Sequence, residues 1–453
     1  MKPYLIALLL SFELCAFGAT SITPPPGVLS KTNAAWVRGR EFTGPGLLTA
    51  AKNYATNGDT VFVAPGGYSS TNILKNSVNW FLSPGCMISN RTSIPGGIFD
   101  NTSLGTPGAV TSTVFGAGIL LTASSFPDGH GVQHGTVSSD NALSKITIEC
   151  DQILGGSDDT AFYAVCARDG RMIVRCNTIN SVFANAGGFM SSVLWHNGYC
   201  EITCSQIIAD VGYGVWCAGT AAGDFYLNAS EIFATNYAAI FFEPTFSENT
   251  AWITVNKITG NDGGVSEGTI TMKSGKLYLK SQKIKNLNGA LPIIAQTGGR
   301  LWLDSDKVTR TNVAPFMKQS GGKSIYRVGE WEDLQTSTRQ CAAAWVLSAG
   351  TNTMNGGQAT INSCPGYKIT GGLANLNLMR ISTQQSTYST NHPVWVTGGT
   401  ITLNGTVLVA TNNQWSIFAS SAQNVIGLGS HGNFPTTNIT VLGGIHTVNS
   451  NVQ

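Results

Sequence analysis

The chain has 453 residues, a formal net charge of +2 and only 11% charged residues, against ~25% in ordinary domains. So small a net charge sets up no field for a polyanion and argues against a nucleic-acid partner. Glycine is abundant at 53 residues, and Asn and Thr are frequent, a composition that a solenoid or fibre surface tolerates.

The chain opens MKPYLIALLLSFELCAFGAT: one Lys, an apolar run over 4–12, then small residues. This is the pattern of a secretory signal peptide, taken as residues 1–19. The run is too short to span a bilayer, and no later segment reads as a span. Secretion or display at the cell surface is therefore expected. Glu13 and Leu14 stand where lipid attachment at Cys15 would want small residues. Nine of the ten Cys follow the signal, and an odd number argues against a complete disulfide framework.

Next, LLTAAKNYATNGDTVFVAPGGY predicts a short amphipathic helix over 47–55, a turn at Gly58 and Asp59, and a strand over 61–63. Such a helix would cover the first rung of a stacked structure, whose open edge would otherwise invite aggregation.

Further on, one octad recurs. ITIECDQI ends at Ile153, MIVRCNTI at Ile179, CEITCSQI at Ile207, FYLNASEI at Ile232, AWITVNKI at Ile258, LYLKSQKI at Ile284 and LWLDSDKV at Val308. The gaps between their ends are 26, 28, 25, 26, 26 and 24 residues. Each octad alternates apolar and polar residues, the periodicity of a strand. A second short strand precedes several copies (FYAVCARDG, SSVLWHNGY, TITMKSGK, PIIAQTGGR) and joins them through a Gly turn. A unit this small cannot bury its apolar face alone, but stacked neighbours can. The leucine frame of a leucine-rich repeat is absent, and a propeller blade needs a longer unit. The expected fold is all-β: a single-stranded, right-handed parallel β-helix with an N-terminal capping helix. It forms one domain over 20–453, with a cap over about 20–60, regular rungs over about 140–332, a less regular segment over about 333–392 and final rungs over about 393–453.

The GDTVFVAPGGY opening, the SPGCMI at 83–88 and the rung period resemble the pectin-lyase-like superfamily of right-handed β-helices. The strand–turn–strand units VWVTGGTITLNGTVLVA, SIFASSAQNVIGLGS and ITVLGGIHTVNSNV resemble β-helical phage tail-fibre and bacterial surface proteins. These resemblances imply a fold, not an activity.

Parity separates inside from outside. Ile146, Ile148 and Cys150 and their equivalents form the core set, which stacks Cys150, Cys176 and Cys204 in one internal column. In-register strands hold such Cβ atoms nearer ~5 Å than the ~3.8 Å of a disulfide, so buried free thiols are expected. The outward set contains Tyr226, Trp252, Tyr278 and Trp302, at the parity of Lys280 and Asp304. Aromatic faces pack on the C–H faces of sugars, and a ladder with ~5 Å steps suits a glycan chain. The competing reading is that the rings stack on one another or lie under a loop or a second protomer. Glu149 and Arg175 lie 26 residues apart, which predicts an ion pair of small energetic weight.

Lyases of this fold use a strand-borne base, often with calcium held by carboxylates, and its hydrolases use clustered Asp residues. Asp158 and Asp159 in GGSDDTAFY are the candidate catalytic or calcium-holding pair, with a solvated turn as the competing reading. PDGHGVQHG supplies Asp128, His130 and His134, but Gly129, Gly131 and Gly135 deny the helix a zinc pair would need. CARDGRMIVRC supplies Arg168, Arg171 and Arg175, as a lyase base or as ion-pair partners of Glu149 and Asp169. The Asp pair and the Gly-His-Gly are similar to polygalacturonase motifs. Their order is reversed and no Arg-X-Lys follows, so no role is carried over. His196 and Glu243 are weaker candidates, near equivalent turn positions of nearby rungs. The leading expectation is a protein that binds polysaccharide or cell-surface glycan, adhesin-like or fibre-like. A polysaccharide lyase or glycoside hydrolase, with calcium as the cofactor to test, and a purely structural surface protein are the alternatives. Homo-oligomerisation is left open.

Overall fold

The structure, a computed structural model, describes residues 27–448 except 29, 72, 91–96, 102–107, 125–133, 158–161, 182–190, 211, 261–267, 288–290, 312, 335–342, 363, 385–391, 411–416, 421–423, 429–430, 433–440 and 443–445. The signal segment lies outside the described residues.

The octads fold as expected, as successive rungs of a parallel β-solenoid. Ile153 pairs with Ile179, and the same column runs on through Ile207, Ile232, Ile258, Ile284 and Val308 to Trp331. The repeat seen in the sequence is thus the register of the sheet. Identical positions must stack because each rung buries the same apolar set against its neighbours.

Each long strand crosses a corner. In Lys276–Asn286, Leu277, Leu279 and Ser281 point inward, Gln282 and Lys283 are both exposed, and Ile284 and Asn286 point inward again. Pairing to Arg300–Arg310 skips Gln282 at the same place. One unpaired residue per rung therefore resets the alternation and folds one strand onto two sheets. The short strands before the octads form a third sheet, running from Phe162–Ala167 through Ser191–Trp195 and Tyr213–Cys217 to Ile240–Phe242 and beyond.

The corner before most of the octads is a column of glycines, interrupted by Asn249. Gly299, Gly322 and Gly350 have φ of +67°, +72° and +87°, a conformation that favours glycine. A Cβ on Gly322 would stand 2.5 Å from the carbonyl oxygen of Gly299, and one on Gly350 would stand 2.5 Å from that of Gly322. Buried amides tie these turns to the next rung. Gln296 Nε2 donates to Gly298 O at 3.1 Å and to Lys323 O at 3.0 Å. Its register partner Gln319 does the same toward Gly321 and Thr351.

At the N-terminal end, helix Leu47–Tyr54 buries Leu47, Leu48 and Ala51, close to the expected bounds. The cap has a second part that the sequence reading missed. Strands Ala34–Val37 and Arg40–Thr43 form an antiparallel hairpin, and Ala35 pairs antiparallel with Val63 of the first rung. A paired strand as well as a helix thus closes that edge.

Cys150, Cys176 and Cys204 are buried free thiols, and Cys176 and Cys204 are direct register partners. Cys364 is disulfide-bonded. Described parts of 333–392 continue the parallel stacking, with a bulge where Ile369, Thr370 and Leu373 shift register against Val394–Asn404. Among the described residues, no helix is long and apolar enough to cross a membrane.

Candidate functional site

The outward aromatic column is continuous. Register pairs Tyr226 with Trp252, Trp252 with Tyr278, and Tyr278 with Trp302. Their ring centroids lie 4.7, 5.8 and 4.3 Å apart, with planes within 6–7° of parallel. That spacing brackets the ~4.8 Å between strands, so the rings stack rung upon rung along the solenoid axis. All four rings are half-buried. Neighbouring rings cover the flat faces of Trp252 and Tyr278, and the rims point to solvent.

Each end of the stack is distinct. At one end Tyr199 tilts against Tyr226, with centroids 5.4 Å apart. Its hydroxyl donates to Glu201 Oε2 at 2.6 Å and the Arg171 guanidinium lies 4.8 Å over its ring. The bond to Glu201 pushes the Tyr199 phenol up to about 12. At the other end Trp302 pairs with Ile325, which is 40% exposed.

Beside the stack runs a shallow groove of about 360 Å³. Trp252, Tyr278 and Trp302 form one wall, and Thr254, Lys280, Asp304 and Arg327 form the other. Arg327 reaches Asp304 at 3.7 Å. On the far side of the rings, Lys276, Arg300 and Lys323 share a column. The rings therefore stand between two rows that carry cations. Sequence reading found the rings but missed these rows, although the same octad alignment contains them.

The other candidates separate. Asp158, Asp159, Asp128 and His130 lie outside the described residues, and His134 opens strand His134–Ser139. The arginines are each engaged. Arg175 reaches Glu149 at 2.7 Å, as expected, and Glu201 at 3.8 Å. Arg168 pairs with Asp140 at 3.3 Å, while Asp169 accepts the Gly170 N–H. His196 and Glu243 stand at the outer ends of third-sheet strands. Burial, helped by Arg168, lowers the His196 imidazole to about 4. Trp216 Nε1 donates to Glu243 at 3.1 Å, and Lys273 lies 3.2 Å from the same carboxylate. Next to this row, Tyr163, Cys166, Leu194, Tyr213, Trp216 and Phe241 form a buried cluster of their own, separate from the core. Among the described residues, no group of three or more His, Cys, Asp or Glu is placed to hold a metal ion.

No family model, curated protein or solved structure matches the chain.

Proposed function

We propose that this β-solenoid is exported and binds polysaccharide or cell-surface glycan along the ring-stack face. One observation carries the reading: three rings of a four-ring stack line a groove that spans successive rungs of a repeating scaffold. A polymer with repeating units suits a surface that repeats at each rung. The closed ring faces refine the mode of contact. Only the outer rings have a face to offer, so a bound sugar chain would lie in the groove against ring rims. Those rims carry the indole N–H groups of Trp252 and Trp302 and the hydroxyls of Tyr226 and Tyr278, which suit hydroxyl-rich ligands. The disulfide at Cys364 supports passage through an oxidising compartment.

The test is retention of the purified chain on a panel of neutral and acidic polysaccharides, with reducing ends and unsaturated products recorded, with and without calcium. Retention without product, lost in Trp252→Ala/Trp302→Ala, is the expected result. Product formation lost in Asp158→Ala/Asp159→Ala would make the protein a lyase or hydrolase instead. Neither signal would leave a structural surface role.

A further inference from the structure

We infer that the glycan bound along this face is an acidic, linear polysaccharide held by the two cationic rows. The inference rests on the glycan-binding reading above and adds the chemical class of ligand.

Charge is unevenly spread along the chain. Residues 251–330 contain twelve of the 26 Lys and Arg but only five of the 24 Asp and Glu. The net charge of +2 hides this, because the remaining rungs are acidic on balance. The register then gathers the cations. Lys276, Arg300 and Lys323 stack on one side of the rings, and Lys280 and Arg327 lie on the other. Beyond the corner, Lys257, Lys283 and Lys307 form a third column.

Carboxylates answer only part of this charge. Glu231 holds Lys257 at 2.6 Å, Glu248 pairs with Lys276, and Glu330 and Glu332 lie 3.2 and 2.7 Å from Lys307. Among the described residues, Lys280, Lys283, Arg300 and Lys323 reach no carboxylate within salt-bridge distance. Stacked like charges repel, and a bound polyanion relieves that repulsion.

The rings point the same way. An aromatic ring is electronegative on its face and electropositive on its rim. Stacking covers much of the inner ring faces, so the groove is walled by positive rims and flanking ammonium and guanidinium groups, with Asp304 the one carboxylate among its lining residues, beside Arg327. Carboxylate or sulfate oxygens suit that wall. Single-stranded nucleic acid requires open ring faces for base stacking, and here neighbouring rings stack over the faces of Trp252 and Tyr278. Among the described residues, a membrane would find on this face Ile325 and, two rungs beyond Lys323, Leu373 as large exposed apolar side chains.

The test measures binding of the full exported chain to dextran, dextran sulfate, alginate and carboxyl-reduced alginate, at about 50 and 300 mM NaCl. Anionic phosphatidylglycerol vesicles are included as a separate arm. The expected result is binding to dextran sulfate and alginate that falls steeply with salt and is absent on their neutral counterparts. Lys280→Gln/Arg300→Gln/Lys323→Gln should weaken it about tenfold or more, a loss of ~1.4 kcal/mol, at unchanged melting temperature. Lys31→Gln/Lys318→Gln, exposed cations beside the cap hairpin and on the third sheet, should leave it intact. Equal, salt-insensitive binding to neutral and acidic glycans would overturn the inference and keep the glycan reading. No binding to any glycan would overturn both, and preference for vesicles would replace the glycan with a membrane. The salt titration decides even if the triple variant fails to fold.

Discussion

Gly322 shows how tightly one residue is held by the stacking. Its φ of +72° and the Gly299 carbonyl 2.5 Å from an added Cβ leave no room for a side chain. Gly322→Ala should therefore cost roughly 1–3 kcal/mol, read as a lower urea midpoint. Arg310 and Asp333 form a buried pair at 2.6 Å, with both side chains fully shielded from solvent. Asp333 also accepts the Asn362 N–H at 2.8 Å. Asp333→Ala leaves a buried guanidinium without its counter-ion and should cost about 3–5 kcal/mol by the same measurement. The buried thiols set a pH limit. Burial pushes Cys86 and Cys204 from 9.0 up to about 12. Their folded values are raised, so their contribution is complete below about pH 9 and is lost as pH climbs toward 12. Urea midpoints should hold steady from neutral pH to about 9 and then fall. A midpoint that rises over that interval would contradict the burial of these thiols.

Among the elements, the long strands were the easiest to read from sequence. Leu277, Leu279 and Ile284 alternate with polar residues because one side of the strand faces water, and water is what makes alternation visible. The third sheet lacked that contrast. Tyr213–Cys217 is buried at every position, so YGVWC reads as a continuous apolar run and its outward cluster could not be foreseen. The cap hairpin was obscure for a different reason. It turns at Arg38 and Gly39, with φ of 51° and 77°, whereas Asn-Gly or Asp-Gly is the usual signal of such a turn. The aromatic column was legible in the octads, but its mode of packing was not. Parity places a ring outward and says nothing of how its plane is turned. Stacking also makes the rings structural. Tyr278→Ala breaks two ring contacts and should lower stability by about 1–3 kcal/mol, more than a change at an end of the stack. Trp252→Phe/Trp302→Phe keeps aromatic rings in the stack but removes both indole N–H donors. If the rims bind glycan, this variant should lose retention while its melting temperature stays close to that of the wild type.

At the scale of the whole molecule, each rung contacts only its neighbours, so stability is a sum of rung and interface terms. The hairpin and helix over 34–54 therefore matter most at the edge they close. Deleting residues 27–55 should convert a discrete species into large aggregates by size-exclusion chromatography, since the first rung would be left unpaired. Averaging over the whole molecule also concealed the cationic rows. A net charge of +2 describes the chain and not the face, and only stacking in register brings Lys276, Arg300 and Lys323 together. The candidate carboxylates Asp158 and Asp159 fall outside the described residues, so their part in any chemistry rests with the product assay.

The most direct measurement is lysine footprinting with and without bound alginate, read residue by residue by mass spectrometry. Protection of Lys276, Lys280 and Lys323, with Lys31 and Lys368 labelled as before, is the expected pattern. Unchanged labelling of that face, or protection confined to Lys273 beside Glu243 on the third sheet, would place the ligand elsewhere and contradict the ring-stack site.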